Sequence, residues 1–236
     1  SYAQFADMMF CLVRTGRDGK PQEGISFLLI DMKTPGIEVR PIVTIDGGAD
    51  VNMVFLTDVR VPVENLIGEE NKGWTYAKFL LGYERSGIAA VSRSKGQLDN
   101  LKQIAAIEPA AGGRLGDDAA FRARIFDVER ALTALEYTEL RYMFASTGGP
   151  GFEASMLKIR GTEVQQDLSE LLLQAVGYYA QPFVAEALDQ GWNEAAIGPD
   201  YAAPLAPAYF NMRKTSIYGG TNEIQKNIMA KMVLGL

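Results

Sequence analysis

The chain has 236 residues and carries 23 Lys and Arg residues against 29 Asp and Glu, a net charge of −6 at pH 7. This acidic balance argues against nucleic acid as a partner, and the 47% of hydrophobic residues is enough for a large buried core. Because the sequence contains no histidine, it excludes His-dependent triads, His general bases and His-ligated zinc, and we expect no metal site.

Nothing in the sequence indicates a membrane span or a signal peptide. The longest apolar runs are far too short to cross a bilayer, and the N-terminus lacks a basic region followed by an apolar one. The single cysteine, Cys11, lies in an apolar run, as a buried thiol in a reducing compartment would. The chain starts at Ser1 rather than at a methionine, so we expect a fragment or a processed chain.

Residues 1–66 have the pattern of a β domain. Short apolar runs at 8–13, 24–30 and 37–42 are separated by turns, and the run that begins at Val51 alternates apolar and polar side chains. Several short strands at regular spacing are typical of a small β-barrel or sandwich. We therefore predict a β domain over residues 1–66, incomplete at its start.

Residues 67–236 have the pattern of a helical domain. The segment 74–107 is helix-like without a proline, a second helix capped by Asp117 or Asp118 ends at 148–150, and a third spans 153–178. The second helix carries an apolar stripe formed by Phe121, Ile125, Val128, Leu132 and Leu135. Strands followed by helices predict an α+β fold, in which a small β domain precedes an antiparallel four-helix-bundle-like domain.

A glycine pair near the C-terminus marks the start of the last helix. Gly219 and Gly220 permit a tight turn, and either Thr221 or Asn222 can cap the helix that follows. The unpaired amides of that helix and its dipole favour an anionic or carbonyl ligand. A glycine pair before a capped helix is also ordinary turn chemistry, so the pattern alone leaves both interpretations open.

Glu84 and Arg85 are the only charged residues in the apolar helical segment 79–91. A carboxylate in such a segment either reaches solvent, pairs with a cation or is buried with a raised pKa. The first two cases describe an ordinary surface side chain, whereas the third describes a general base. The residues alone do not decide between them.

Three segments occur in the order and at the spacing of one enzyme family. They are 61–74 (VPVENLIGEENKGW), 157–163 (LKIRGTE) and 218–228 (YGGTNEIQKNI). They resemble, in turn, the junction between the middle β domain and the helical domain, the third-helix region and the C-terminal signature of the acyl-CoA dehydrogenases. The resemblance covers nearly the whole chain but only the middle and C-terminal domains of the family, whose N-terminal helical domain has no counterpart in this sequence.

The resemblance implies an FAD-dependent enzyme that oxidises an acyl-CoA to the trans-2-enoyl-CoA and passes electrons to an electron-transferring flavoprotein. In the family, a carboxylate removes the α-proton while the β-hydrogen leaves as hydride to the flavin. Because the α-proton of a thioester is a weak acid, the developing enolate oxygen needs hydrogen bonds. By its position in the signature, the amide of Gly219 is one of the donors that the resemblance implies.

The residue at position 219 also bears on the choice of base. Many family members carry the catalytic glutamate there, and glycine has no carboxylate. A branch that resembles the isovaleryl- and long-chain-type enzymes carries the base on the first long helix, directly before an arginine, and Glu84 followed by Arg85 matches that position. The resemblance therefore assigns Glu84 as the base, flanked by Leu81 and Arg85 as substrate-binding residues.

The resemblance also implies residues that contact the flavin. Ser1 matches the hydroxyl residue of the family's Trp-X-Thr/Ser element, which contacts the flavin ring. Gly220, Thr221 and Glu223 match positions of the C-terminal signature that contact the cofactor.

A second cofactor element departs from the family pattern. Gln174 and Gly177 are similar to a Gln-X-X-Gly-Gly element that FAD reaches from a neighbouring subunit, but Tyr178 replaces the second glycine. The family's Arg-X-X-Phe-Gly element is not recognisable in 108–120. These departures are compatible with a divergent branch or with a heteromeric enzyme in which not every interface holds FAD.

The resemblance extends to assembly and location. We expect a homo- or heterotetramer in the bacterial cytoplasm rather than in the mitochondrial matrix, because the segment around Glu84 looks most like bacterial large-subunit enzymes. Their substrates are bulky or dicarboxylic acyl-CoAs. Two alternatives remain: an acyl-CoA oxidase that uses oxygen, and a non-catalytic partner subunit or inactive fragment. We expect the isolated chain to bind FAD poorly.

Overall fold

A computed structural model describes residues 1–87, 89–144, 151–188, 191–195 and 197–236, without the side chains of residues 82–86 and 188. The longer strands come first and the helices follow, which confirms the predicted α+β class. Packing divides the chain into two units, Ser1–Gly82 and Tyr83–Leu236.

The first unit contains two antiparallel hairpins. Strand β1 (Met8–Arg14) pairs with β2 (Ile25–Asp31), and β3 (Ile37–Ile42) pairs with β4 (Val51–Leu56). The predicted strands are thus confirmed to within a residue or so at their ends. In the part of the chain that the structure describes, the strands form two-stranded sheets and no barrel closes.

The segment that leads from the hairpins to the first helix packs back onto β2. Leu66 and Lys72 form isolated bridges to that strand, and the amide of Asn71 donates to Ser26 Oγ over 2.8 Å. A Cβ at Gly73, the first residue of the helix, would lie 2.5 Å from the backbone carbon of Ser26. Only glycine therefore fits where this helix starts.

The helices are α1 (Gly73–Gly87), α2 (Val91–Ile107), α3 (Ala119–Phe144), α4 (Phe152–Ala175), α5 (Leu205–Met212) and α6 (Asn222–Met229). A small hairpin of β5 (Pro109–Ala110) and β6 (Gly113–Arg114) connects α2 to α3. Residues Ala230–Leu234 continue α6 as a π-helical turn.

The helix-like segment 74–107 is divided in the structure. Helix α1 ends at Gly87 and α2 begins at Val91, with Ala90 in the left-handed region at a φ of 51°. Ala89 is fully buried, and its backbone lies so close to Gly161 of α4 that an added Cβ there would meet it at 2.5 Å. A tertiary contact thus accompanies the break, which helix propensity alone does not reveal.

Helix α3 follows the prediction closely. Asp118 rather than Asp117 caps it, because Asp118 Oδ1 accepts a hydrogen bond of 2.7 Å from the Phe121 amide. The whole predicted apolar stripe of this helix is buried. The predicted stop at 148–150 lies outside the described residues.

Helix α4 lies at the centre of the second unit. It packs against α2, α3, α5 and α6, and more than half of its residues are buried. The core that it shares with α2 and α3 includes Leu98, Leu101, Leu132, Leu157, Leu168 and Leu171. None of the described helices combines the length and apolar character that a membrane span requires.

The close approach at Gly161 gives a prediction with an internal control. Gly161→Ala should destabilise the protein by about 1–3 kcal/mol, because α4 and Ala89 must separate to admit the methyl group. Gly96→Ala makes the same change in α2, where an added Cβ meets nothing within 4 Å. It should stabilise by about 0.5–1 kcal/mol, since alanine is the better helix former. Denaturant unfolding of the whole protein measures both, and a Gly161→Ala variant as stable as Gly96→Ala would contradict the packing.

Candidate functional site

The turn before α6 depends on its two glycines. We call residues 218–221 the signature turn. Gly219 has a φ of 65° and Gly220 a φ of 82°, both in the left-handed region that glycine adopts at little cost. A Cβ at Gly220 would also lie 2.6 Å from Nε2 of Gln225. The backbone conformation therefore strains a larger residue at position 220, and the Gln225 amide would have to shift to admit its Cβ.

Thr221 caps α6. Its hydroxyl oxygen accepts a hydrogen bond of 3.2 Å from the Ile224 amide, whereas Asn222 is the first residue of the helix. Glu223 is exposed in the first turn, where the helix dipole favours a carboxylate. A hydrogen bond from its own backbone amide, and a second from the Thr221 hydroxyl, lower the pKa of Glu223.

Two buried side chains of α4 contact Asn222, the first residue of α6. The fully buried Lys158 donates from Nζ to Asn222 Oδ1 over 2.7 Å. Thr162, also fully buried, lies 3.3 Å from Asn222 Nδ2 through its hydroxyl. Burial lowers the pKa of Lys158, and the negative charge of Glu223 opposes that effect. The start of α6 is therefore anchored to α4 by polar contacts.

Gln225 holds the other side of the signature turn. It is almost fully buried, and its Nε2 donates to the carbonyl oxygens of Gly219 at 3.2 Å and Gly220 at 3.5 Å. In the described part of the chain, no hydrogen bond uses the amide of Gly219. Gln225 thus holds the two glycine carbonyls of the signature turn, whereas the Gly219 amide remains a free donor in the described part of the chain.

A second set of α4 side chains fixes the chain just before the turn. Gln166 Nε2 donates to the carbonyls of Met212 and Arg213, each over 3.3 Å. Arg213 in turn donates to Ser169 Oγ over 2.8 Å and stacks on the ring of Tyr209. The sequence prediction missed these residues and Lys158. A charged residue within a buried helical stripe, as at Lys158, is the signal that would have identified it.

The predicted site residues fall into separate groups. Gly219, Gly220, Thr221 and Glu223 lie together at the signature turn. Gln174 lies 16 residues beyond Lys158 on α4, or about 24 Å along the helix axis.

The end of α4 has its own polar contacts. Gln174 donates to Glu170 over 2.9 Å and accepts a hydrogen bond from Arg124. Gly177 has a φ of 53°, and Tyr178 is 86% exposed. Both ends of the Gln174 carboxamide are thus engaged within the chain.

Ser1 belongs to the first unit. It borders a cavity of ≈ 280 Å³ that is lined mostly by apolar residues, among them Met8, Phe10 and Met32. Asn52 also lines this cavity, and its Oδ1 is buried without a hydrogen-bond partner. The cavity therefore combines apolar walls with two polar groups.

The side chains of the proposed base and its neighbour lie outside the described residues. The backbone of Glu84 and Arg85 belongs to the last part of α1, which confirms that they are helical. Leu81, in the same helix, is 42% exposed. The roles of these three residues stay predictions.

The chain matches a known family over most of its length. Residues 71–234 match the family described as "Acyl-CoA dehydrogenase, C-terminal domain". Among curated proteins, acyl-CoA dehydrogenase IpdE1 of Mycobacterium tuberculosis is 31% identical over 243 residues, which cover 100% of this chain and 57% of that protein. The pig mitochondrial long-chain specific acyl-CoA dehydrogenase is 28% identical over 242 residues, which cover 97% of this chain and 51% of that enzyme.

A solved structure gives the same result. The ChsE4–ChsE5 complex of Mycobacterium tuberculosis contains a chain that superposes with a TM-score of 0.79 at 29% identity, covering 100% of this chain and 59% of that one. In each comparison, this chain spans little more than half the length of its relative.

The cap of α6 can be tested by two substitutions at one position. Thr221→Val removes the hydroxyl that accepts from the Ile224 amide, and it should cost about 1 kcal/mol of stability. Thr221→Ser keeps the acceptor and should stay within a few tenths of a kcal/mol of the parent protein. Thermal unfolding of the whole protein measures both changes. Equal melting temperatures for the two variants would show that the cap does not stabilise the helix.

Proposed function

Because this chain belongs to the acyl-CoA dehydrogenase family, we propose that the whole protein oxidises an acyl-CoA thioester to the trans-2-enoyl-CoA. The observation that carries this proposal is the family match over residues 71–234, which includes an intact signature turn. The chain spans little more than half of its relatives, so the proposal concerns the complete protein.

Gly219 supplies a hydrogen bond to the thioester oxygen in this proposal. Removal of the α-proton places negative charge on that oxygen, and a donor that is already in position stabilises the charge without reorganising. The Gly219 amide is unused in the described part of the chain. Gln225 holds the neighbouring carbonyls, which keeps the turn in one conformation.

Glu84 removes the α-proton. This assignment rests on its position directly before Arg85 in α1 and on the absence of a carboxylate at Gly219. A carboxylate enclosed beside an acyl chain has a raised pKa, which suits proton abstraction near neutral pH. Leu81 and Arg85 bind the substrate next to it.

FAD, the cofactor of this family, supplies the two-electron acceptor for the β-hydrogen when it is bound. In the second unit, the Thr221 hydroxyl and the exposed first turn of α6 offer polar groups to it. In the first unit, Ser1, which the family pattern assigns to the flavin ring, borders a mostly apolar cavity. The polar groups of α6 alone fit one polar edge of a flat ring system.

The residues proposed to contact FAD at the C-terminal end of α4 fit the family pattern less well. Gln174 is already engaged with Arg124 and Glu170, and Tyr178 stands where the family element has glycine. The similar ChsE4–ChsE5 structure is a complex of two different chains. We therefore propose that the protein assembles with a second, related subunit, and that Gln174 and Gly177 lie at an interface that holds FAD weakly or not at all.

The final electron acceptor and the location complete the proposal. An electron-transferring flavoprotein takes the electrons, in the cytoplasm of a bacterium, as part of fatty acid β-oxidation. The bacterial relatives and the single cysteine support this location. Use of oxygen instead would make the protein an acyl-CoA oxidase, and measuring flavin reoxidation in air separates the two.

Replacing the proposed base tests the mechanism. In the whole protein with FAD, Glu84→Gln should slow anaerobic bleaching of the flavin by an acyl-CoA by about 10²- to 10⁴-fold, since a general base contributes a factor of that size. Glu70→Gln, an exposed glutamate outside the site, is the matched control and should bleach at the parent rate. Unchanged bleaching in Glu84→Gln would remove Glu84 as the base.

A further inference from the structure

Lys158 is buried in an unusual setting. Its side chain is fully enclosed on α4, and its Nζ lies 2.7 Å from the neutral side chain of Asn222. Among the described residues, no carboxylate lies within ion-pair distance of it. Because removing an ammonium group from water is costly, a buried lysine with a neutral partner calls for a reason beyond packing.

The helix that Lys158 contacts makes this setting less favourable still. Asn222 begins α6, and the N-terminal end of a helix carries partial positive charge. The Lys158 ammonium group lies close to that end of α6, so the two positive charges repel each other. Glu223 in the same turn offsets part of this repulsion, and its charge also raises the pKa of Lys158. The energy of the charged Lys158 side chain therefore depends on the geometry of the first turn of α6.

The Lys158–Asn222 contact holds a part of the chain that is close to Gly219 in the sequence. Asn222 follows the signature turn directly, and Thr221, the last residue of that turn, is fixed as the helix cap. Thr162 contacts the same Asn222 side chain, and Gln225 holds the carbonyls at the other side. A displacement of Asn222 would thus move a short stretch of chain, held by hydrogen bonds at both sides, that ends at the Gly219 amide.

We propose that Lys158 is a positioning residue: through Asn222 it fixes the signature turn so that the Gly219 amide meets the thioester oxygen. The proposal rests on the function proposed above, and it assigns Lys158 no contact with substrate or cofactor. Loss of the contact weakens the hydrogen bond to the developing enolate oxygen. Binding of the acyl-CoA, which uses contacts along its whole length, changes much less.

The test is exchange of the substrate's α-protons with D2O, catalysed by the whole protein with FAD and read by mass spectrometry of a saturated acyl-CoA. Lys158→Met keeps the length of the side chain but removes its donor, and exchange should fall about tenfold to a hundredfold, as expected for a misplaced group. The acyl-CoA Kd should change less than threefold. Lys231→Met, an exposed lysine in the C-terminal π-turn, is the matched control and should exchange at the parent rate.

Two variants at Asn222 separate positioning from a general loss of fold. Asn222→Asp keeps an acceptor oxygen for Lys158 and should retain most of the exchange. Asn222→Leu should lose at least as much as Lys158→Met, because it also removes the contact with Thr162. The double variant Lys158→Met/Asn222→Leu should be no slower than Asn222→Leu alone, because that substitution already removes the Lys158 contact. These comparisons decide the question even if Lys158→Met itself folds poorly.

Backbone hydrogen exchange gives a reading that does not depend on turnover. Amides within 219–224 should exchange faster in Lys158→Met and Asn222→Leu than in the parent protein, while those of α3 stay protected. Parent-level α-proton exchange in Lys158→Met, or losses that multiply in the double variant, would overturn the role of Lys158. Absence of α-proton exchange in the parent protein itself would instead refute the proposed function, and with it the positioning role.

Discussion

The burial of α4 is the constraint on which the second unit depends. Its apolar side chains pack against α2 and α3, while polar ones at 158, 162, 166 and 169 contact the stretch from Met212 to Asn222. Because neither set can shift without disturbing the other, the position of the signature turn is fixed by the same helix that organises the core. The close approach of Ala89 to Gly161 brings the start of α2 to that helix as well.

The two glycines of the signature turn give it the backbone conformation on which the proposed mechanism depends. Positive φ angles at Gly219 and Gly220 let the carbonyls turn toward Gln225, and the amide of Gly219 stays free in the described part of the chain. A position without a side chain cannot supply a base, so the proposed mechanism divides the work. The turn polarises the thioester, and Glu84 on a different helix removes the proton.

Much of this architecture follows from patterns in the sequence. The α3 stripe predicts its buried face because spacing of three and four residues places side chains on one side of a helix. Glycine pairs and capping residues locate the start of α6 for similar local reasons. The break between α1 and α2 was missed because it accompanies a contact with Gly161, which lies far away in the sequence. A charge within a buried stripe marks Lys158 in the sequence, but its partner Asn222 could not be predicted because it is 64 residues away.

A structure of the whole protein with FAD and an acyl-CoA analogue that cannot be oxidised would test the central claim most directly. We predict that the thioester oxygen lies within about 3 Å of the Gly219 nitrogen, with the Glu84 carboxylate facing the α-carbon from the other side. The Lys158–Asn222 contact should be present in that complex. A thioester oxygen bound by other donors, with the Gly219 amide turned away from it, would contradict the account.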